Sequence, residues 1–304
     1  MINRPQRFTK NKETVRALQR ETIETSLASK LGNLRYFGLP SSILGDIREW
    51  RDLFAEFVAV ERGEKGREWD LQHELTLQAF RLGLFTKLTL LRGDIDSIIT
   101  KGKDLFGNRI KFPFDVVSLD YSGGFFYRDK RGRLERLQSV ETLISKQSRK
   151  RVDFVFLISS NLDQVDQGEV RRTIDNIRTD LTRYGEEAEK LIGAYLKHPM
   201  DEARLKIYVP YFVNQLAAKY HYNCETDRVI FYKGNKRTRM MAFRFYLTFD
   251  ARTEALRSPR ERLSQILNKS LIELVDGRPN DTLLELPKLS PPEQKPKNAQ
   301  ERAN

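Results

Sequence analysis

The sequence predicts an α/β protein with a doubly wound, mostly parallel sheet closed by an antiparallel hairpin, with extra N- and C-terminal helices. Three observations carry this. Short apolar runs recur at 34–38, 57–60, 88–91, 116–119 and 152–158. Such runs, bounded by glycine or charge, read as strands buried on both faces. A stretch of helical periodicity lies in each gap, and parallel strands need crossovers of that length. Finally, residues 227–232 and 238–249 flank the turn Lys233-Gly234-Asn235-Lys236, and Phe243, Phe245, Leu247 and Phe249 alternate as in a half-buried strand.

Residues 1–35 carry eight Lys and Arg against three Glu. Val15, Leu18, Ile23 and Leu27 recur at helical intervals before Gly32, so 14–31 reads as a packed helix behind a basic arm. Ser41 or Ser42 can cap a helix whose Ile43, Ile47, Trp50 and Phe54 share one face. Helices are also expected over 68–82, 134–148 and 206–220. A long helix should start near Asp166, where Glu169 completes a capping box. Its apolar positions, from Val170 through Ile174, Ile177, Leu181, Tyr184, Ala188 and Leu191 to Tyr195, alternate by four and three. That seam fits packing within the chain or pairing between subunits or with a protein partner. Ser258-Pro259-Arg260-Glu261 opens a further helix, read as continuing through Leu271 and Leu274 to Gly277. The expected organisation is an arm and helix over 1–32, an α/β domain over 33–250 with a helical insertion at about 166–220, a helical segment over 251–286, and a disordered tail over 287–304.

Composition bounds the function. No run approaches the roughly 18 apolar residues of a membrane span, and the basic N-terminus lacks the apolar core of a signal peptide. One cysteine, Cys224, excludes an internal disulfide framework and suits a reducing compartment, with the cytoplasm expected. The 54 Lys and Arg exceed the 42 Asp and Glu for a formal net charge of +12, which favours a polyanionic partner such as nucleic acid. That charge is clustered. Arg128, Lys130, Arg131 and Arg133 follow one strand end, and Lys233, Lys236, Arg237 and Arg239 occupy the hairpin turn.

In open α/β sheets, ligands bind beyond the carboxyl ends of the strands. The apolar run 116–119 stops at Asp120, with Tyr121 and the pair Gly123-Gly124 directly after. Gly38, Glu61 and Asp94 close or follow the first three runs in the same way.

On this order of five βα units and a hairpin, with those strand-end residues, residues 33–250 resemble the class I methyltransferases that use S-adenosylmethionine. The resemblance places residues 34–42 at the glycine-rich first motif, so that Gly38 and Pro40 would border the cofactor's amino-acid end. Glu61 would accept hydrogen bonds from the ribose diol and Asp94 from the adenine amine. Asp120 would hold the methionine ammonium or a target amine, with Tyr121 stacked on a base. Ser118-Leu119-Asp120-Tyr121-Ser122-Gly123 is nearest to the Asp-x-Asp-Pro-Phe-Gly of the tRNA dimethylguanosine methyltransferases, of which it keeps the second Asp and the Gly. The implied function is methyl transfer to nucleic acid.

Two alternatives share these residues. One is a catalytically inactive Rossmann-like module that binds nucleic acid or a partner. The other rests on Val60-Glu61-Arg62-Gly63 and Asp94-Ile95-Asp96, which loosely resemble the magnesium-binding carboxylate motifs of Toprim domains. Neither a phosphate-binding Gly-x-x-x-x-Gly-Lys-Ser/Thr nor a Gly-x-Ser-x-Gly elbow occurs. His73, His198, His221 and Cys224 make no convincing zinc set, and no metal site is expected.

Overall fold

The computed structural model describes residues 9–39, 44–62, 68–121, 123–128, 132–162, 166–181, 190, 193, 201–234, 238–252 and 256–280. Helix α1 (Lys10–Ser26) starts where Thr9 accepts a hydrogen bond from the Lys12 amide. The first crossover is β1 (Leu34–Gly38), α2 (Gly45–Trp50) and β2 (Phe54–Glu61). Next come α3 (Glu68–Arg81), β3 (Leu88–Arg92), α4 (Ile95–Lys101), β4 (Val116–Asp120), α5 (Glu135–Ser148) and β5 (Phe154–Asn161). Beyond them lie α6 (Gln167–Leu181), α7 (Asp201–Lys219), β6 (Tyr222–Thr226), β7 (Val229–Lys233) and β8 (Arg239–Phe249). Last are α8 (Pro259–Asn268), β9 (Leu271–Val275) and β10 (Arg278–Asn280).

Among the described residues the strands form one sheet in the order β10-β9-β7-β8-β5-β4-β1-β2-β3, with β6 also on β8. Strands β1 to β5 pair in parallel, and β8 runs antiparallel to β5. The sheet therefore reverses at the fourth strand's side of β1, the switch point at which such folds bind ligands. The expected hairpin is present as β7–β8, but it does not close the sheet by itself. The 11 residues of β8 are shared, β6 taking one end and β7 the other, and β9 continues parallel to β7.

Alternation along the strands sorts the core onto two faces. Tyr36, Phe57 and Ala59 pack with Ile23 of α1, Ile47 and Trp50 of α2, and Leu75 and Ala79 of α3. Phe37, Val58 and Val60 point the other way, toward Ile98 of α4, Val140 of α5, Tyr208 of α7 and Ile266 of α8. Helix α1 is thus packed, as expected, and is a full member of the first layer, over 10–26 rather than 14–31; residues 1–8 of the basic arm lie outside the described residues.

Two expectations are corrected. The segment 251–286 is not wholly helical. Helix α8 ends at Asn268 with Lys269 extended, and Leu271 and Leu274 lie in β9. Their spacing suited a helix, but the open edge of β7 takes them as a strand. Likewise α2 is only six residues long, and Phe54 begins β2 instead of completing a helical face. Ser41, Ser42 and the seam positions Tyr184, Ala188, Leu191 and Tyr195 lie outside the described residues. Within α6, Ile177 is buried and Ile174 packs against the chain's own core. No helix among the described residues is long and apolar enough to cross a membrane.

Candidate functional site

The register brings four of the sequence-predicted positions to one edge. Gly38 pairs with Ala59 of β2 and with Ser118 of β4. Each neighbour runs two residues further, to Glu61 and to Asp120, and Glu61 sits opposite Arg92 of β3. Asp94 follows β3 directly. A row of carboxylates thus stands at the carboxyl edge, with β1 recessed between two of them.

Helix α1 reaches over this edge. Lys12 Nζ donates to Asp120 Oδ2 at 2.7 Å, both side chains being largely buried. One turn on, Arg16 Nε donates to Asp46 Oδ1 at 2.6 Å, and here exposure is only 5% and 6%. Burial pushes the Asp46 carboxyl above its usual range, and the Arg16 guanidinium opposes that rise. The first turn of α1 is held in place. Asn11 donates to the Lys233 carbonyl and accepts from the Gly277 amide, while Thr14 donates to the Gly277 carbonyl. Trp50 Nε1 donates to the Arg16 carbonyl. Sequence reasoning missed Lys12, Arg16 and Asp46. The spacing of Lys12 and Arg16 puts both cations on one helical face, yet nothing local names partners 108 and 30 residues away.

The other predicted residues are placed as follows. Gly38 has no side chain because β4 leaves no room, since an added Cβ would clash with the Ser118 carbonyl and stand 2.7 Å from the Tyr36 hydroxyl. Pro40 lies outside the described residues. Glu61 Oε1 accepts from the Arg62 amide at 3.0 Å. Asp94 caps α4, accepting from the Ser97 amide at 3.1 Å, and its other oxygen is 3.7 Å from exposed Arg62.

Tyr121 turns inward. Its ring is 3% exposed, so it is not presented to a base in this structure. The hydroxyl donates to Asp96 Oδ1 at 2.8 Å, and Ser139 donates to the same oxygen. The guanidinium of Arg136 lies 4.5 Å above the Tyr121 ring, a cation–π geometry, and donates to the Gly124 carbonyl. Burial raises both the Asp96 carboxyl and the Tyr121 phenol, the latter further because Asp96 is adjacent. Asp96 is buried in this network while Asp94 caps a helix, so the carboxylates of the magnesium reading do not converge. Among the described residues no group of three or more His, Cys, Asp or Glu could hold a metal ion.

Of the basic residues, Arg128 donates to Asp166 at 2.9 Å and to the Gly132 carbonyl, and Arg133 pairs with Glu135. Lys233 is exposed at the end of β7, opposite Arg239 of β8. Lys130, Arg131, Lys236 and Arg237 lie outside the described residues.

No protein-family model matches the sequence, and no curated protein matches it. Among solved structures, an rRNA methylase from Streptococcus thermophilus is 10% identical over 82% of this chain and 99% of its own, with a TM-score of 0.41. The O-methyltransferase TomG from Streptomyces achromogenes, in complex with SAM, is 11% identical over 77% and 80%, TM-score 0.43. An O-methyltransferase from Bacillus cereus, in complex with SAH, is 12% identical over 78% and 90%, TM-score 0.41. At these values the likeness carries no residue or function across.

Proposed function

We propose that the chain is a methyltransferase-type protein that binds S-adenosylmethionine at the carboxyl edge of β1, β2 and β4 and acts on nucleic acid. One observation supports this most: Glu61 and Asp120 flank the recessed end of β1 at the switch point of the sheet. A carboxylate at Glu61 suits a ribose diol, and one at Asp120 suits an ammonium, as its grip on Lys12 illustrates. Gly38 and Asp94 serve the fold first, one in strand packing and one as a helix cap. When bound, the cofactor would supply an electrophilic methyl group, and Glu61 and Asp120 would orient it. The net charge of +12 supports the polyanionic acceptor.

Calorimetry with S-adenosylmethionine tests the reading. Heat of binding is expected for the full chain and should be lost in Glu61→Ala. Absence of heat in both the native chain and Lys12→Gln would refute it. For the acceptor, log affinity for duplex DNA should fall by about 0.9 per phosphate contact for each decade of salt. A second reading, a closed module that binds nucleic acid without the cofactor, draws on the Lys12–Asp120 pair. It is distinguished by salt-dependent nucleic-acid binding that persists with no response to the cofactor.

A further inference from the structure

A cavity lies away from the carboxyl edge, and the function proposed above does not use it. We propose that this cleft, between α1, the β6–β7 junction and the start of β9, binds a small phosphate-bearing anion. Its volume is about 500 Å³, within the roughly 300–1,000 Å³ of ligand sites.

The floor is Arg244, in the middle of β8 and only 4% exposed. Its Nη1 donates to the Leu18 carbonyl and to Thr22 Oγ1, both at 2.8 Å, and lies 3.1 Å from Asp227 Oδ2. The Nε is buried with no hydrogen-bond partner. A buried guanidinium left partly unsatisfied is costly, and burial pulls the Arg244 pKa down, a direction that a nearby anion reverses.

The charge balance at the mouth favours an anion. Arg228 and Lys269 line the cleft, and neither side chain makes an ion pair or hydrogen bond among the described residues. Two of the three acids there are already engaged, Glu225 with Arg257 at 2.9 Å and Asp227 with Arg244. Only Glu21 remains against the two cations. Thr25 and Ser26, one helical turn beyond Thr22, add hydroxyl donors from α1. A phosphate monoester matches this set better than a carboxylate does. It carries close to two charges and three acceptor oxygens for two cations and a row of hydroxyls.

The test is calorimetry on the full chain at constant ionic strength, titrating inorganic phosphate, adenosine monophosphate and adenosine. Phosphate and the monophosphate should bind, and adenosine should not. The rim substitutions Arg228→Gln, at an exposed residue, and Lys269→Gln, at a half-buried one, together should weaken binding by about tenfold or more, through loss of two charge-assisted contacts. A control pair on the far surface, Arg149→Gln with Lys150→Gln, should leave it unchanged. No phosphate binding by the native chain overturns the proposal. So does an unaffected rim variant, and so does an equal loss in the control pair, which would mean diffuse attraction to a basic surface.

Discussion

Replacing Gly38 with alanine separates a packing role from a ligand role at the centre of the candidate site. The added Cβ would lie 3.0 Å from the Ser118 carbonyl carbon and closer still to its oxygen, where ordinary contacts begin at 3.4 Å. The opposing atoms are backbone of β4 and cannot rotate away. Strand β1 would have to withdraw, and its ladder with β4 spans only Tyr36 to Gly38. The Leu39 amide bond to the Ser118 carbonyl, 3.1 Å long, is strained by the same movement. Overpacking of this kind costs about 1–3 kcal/mol, and a weakened backbone hydrogen bond adds about 1 kcal/mol. The expected loss is therefore about 2–4 kcal/mol, a large share of the roughly 5–15 kcal/mol that holds a domain together. Urea unfolding followed by circular dichroism should show a lower midpoint at unchanged slope. A Gly38→Ala protein within about 0.5 kcal/mol of the native stability would refute the packing argument. If that variant also lost S-adenosylmethionine binding, Gly38 would be a ligand-approach residue instead.

Further expectations concern the charges behind that edge. Arg16→Met should destabilise by about 3–5 kcal/mol at neutral pH, because it strands the buried Asp46 carboxylate. Burial already raises the folded Asp46 carboxyl, so its stability contribution falls as pH rises through that raised value. The deficit of the variant should accordingly shrink toward acid pH, and a pH-independent deficit would argue against the pairing. Tyr121→Phe removes one of two hydroxyl donors to Asp96 and should cost about 1–2 kcal/mol. It should also move the carboxyl titration of Asp96, followed by carbon NMR, further upward; a downward shift would contradict the network. Lys12→Gln should tighten binding of S-adenosylmethionine, since Asp120 then has no internal cation, whereas weaker binding would make Lys12 part of the ligand site.

The strands were legible in the sequence where burial on both faces made them uniformly apolar. Thus β1 and β4 fall within a residue of 34–38 and 116–119; β3 does so at 88–91 although it is the edge strand with Thr89 exposed, while β2 spans 54–61 against 57–60 and β5 spans 154–161 against 152–158. Leu271 and Leu274 were misread because residues three apart suit a helix as well as a strand, and only the neighbouring β7 decides. The strand-end positions of Gly38, Glu61, Asp94 and Asp120 were legible for the same reason as the strands. Their partners were not. Lys12, Arg16 and the Tyr121–Asp96–Ser139 cluster depend on contacts between distant segments, which local periodicity does not encode.

The bonds from Asn11 and Thr14 to Gly277 have a consequence for assembly. They join residues 266 and 263 apart, so the loop they close is nearly the longest the chain can form. Contacts of such separation carry a high closure entropy and consolidate late. Until β9 and β10 are docked, the first turn of α1 lacks both bonds to Gly277 and keeps the one from Asn11 to the Lys233 carbonyl, so Lys12 is held less firmly over Asp120. Docking of the last strands would therefore be the event that fixes the first turn of α1, and Lys12 with it, over the carboxyl edge.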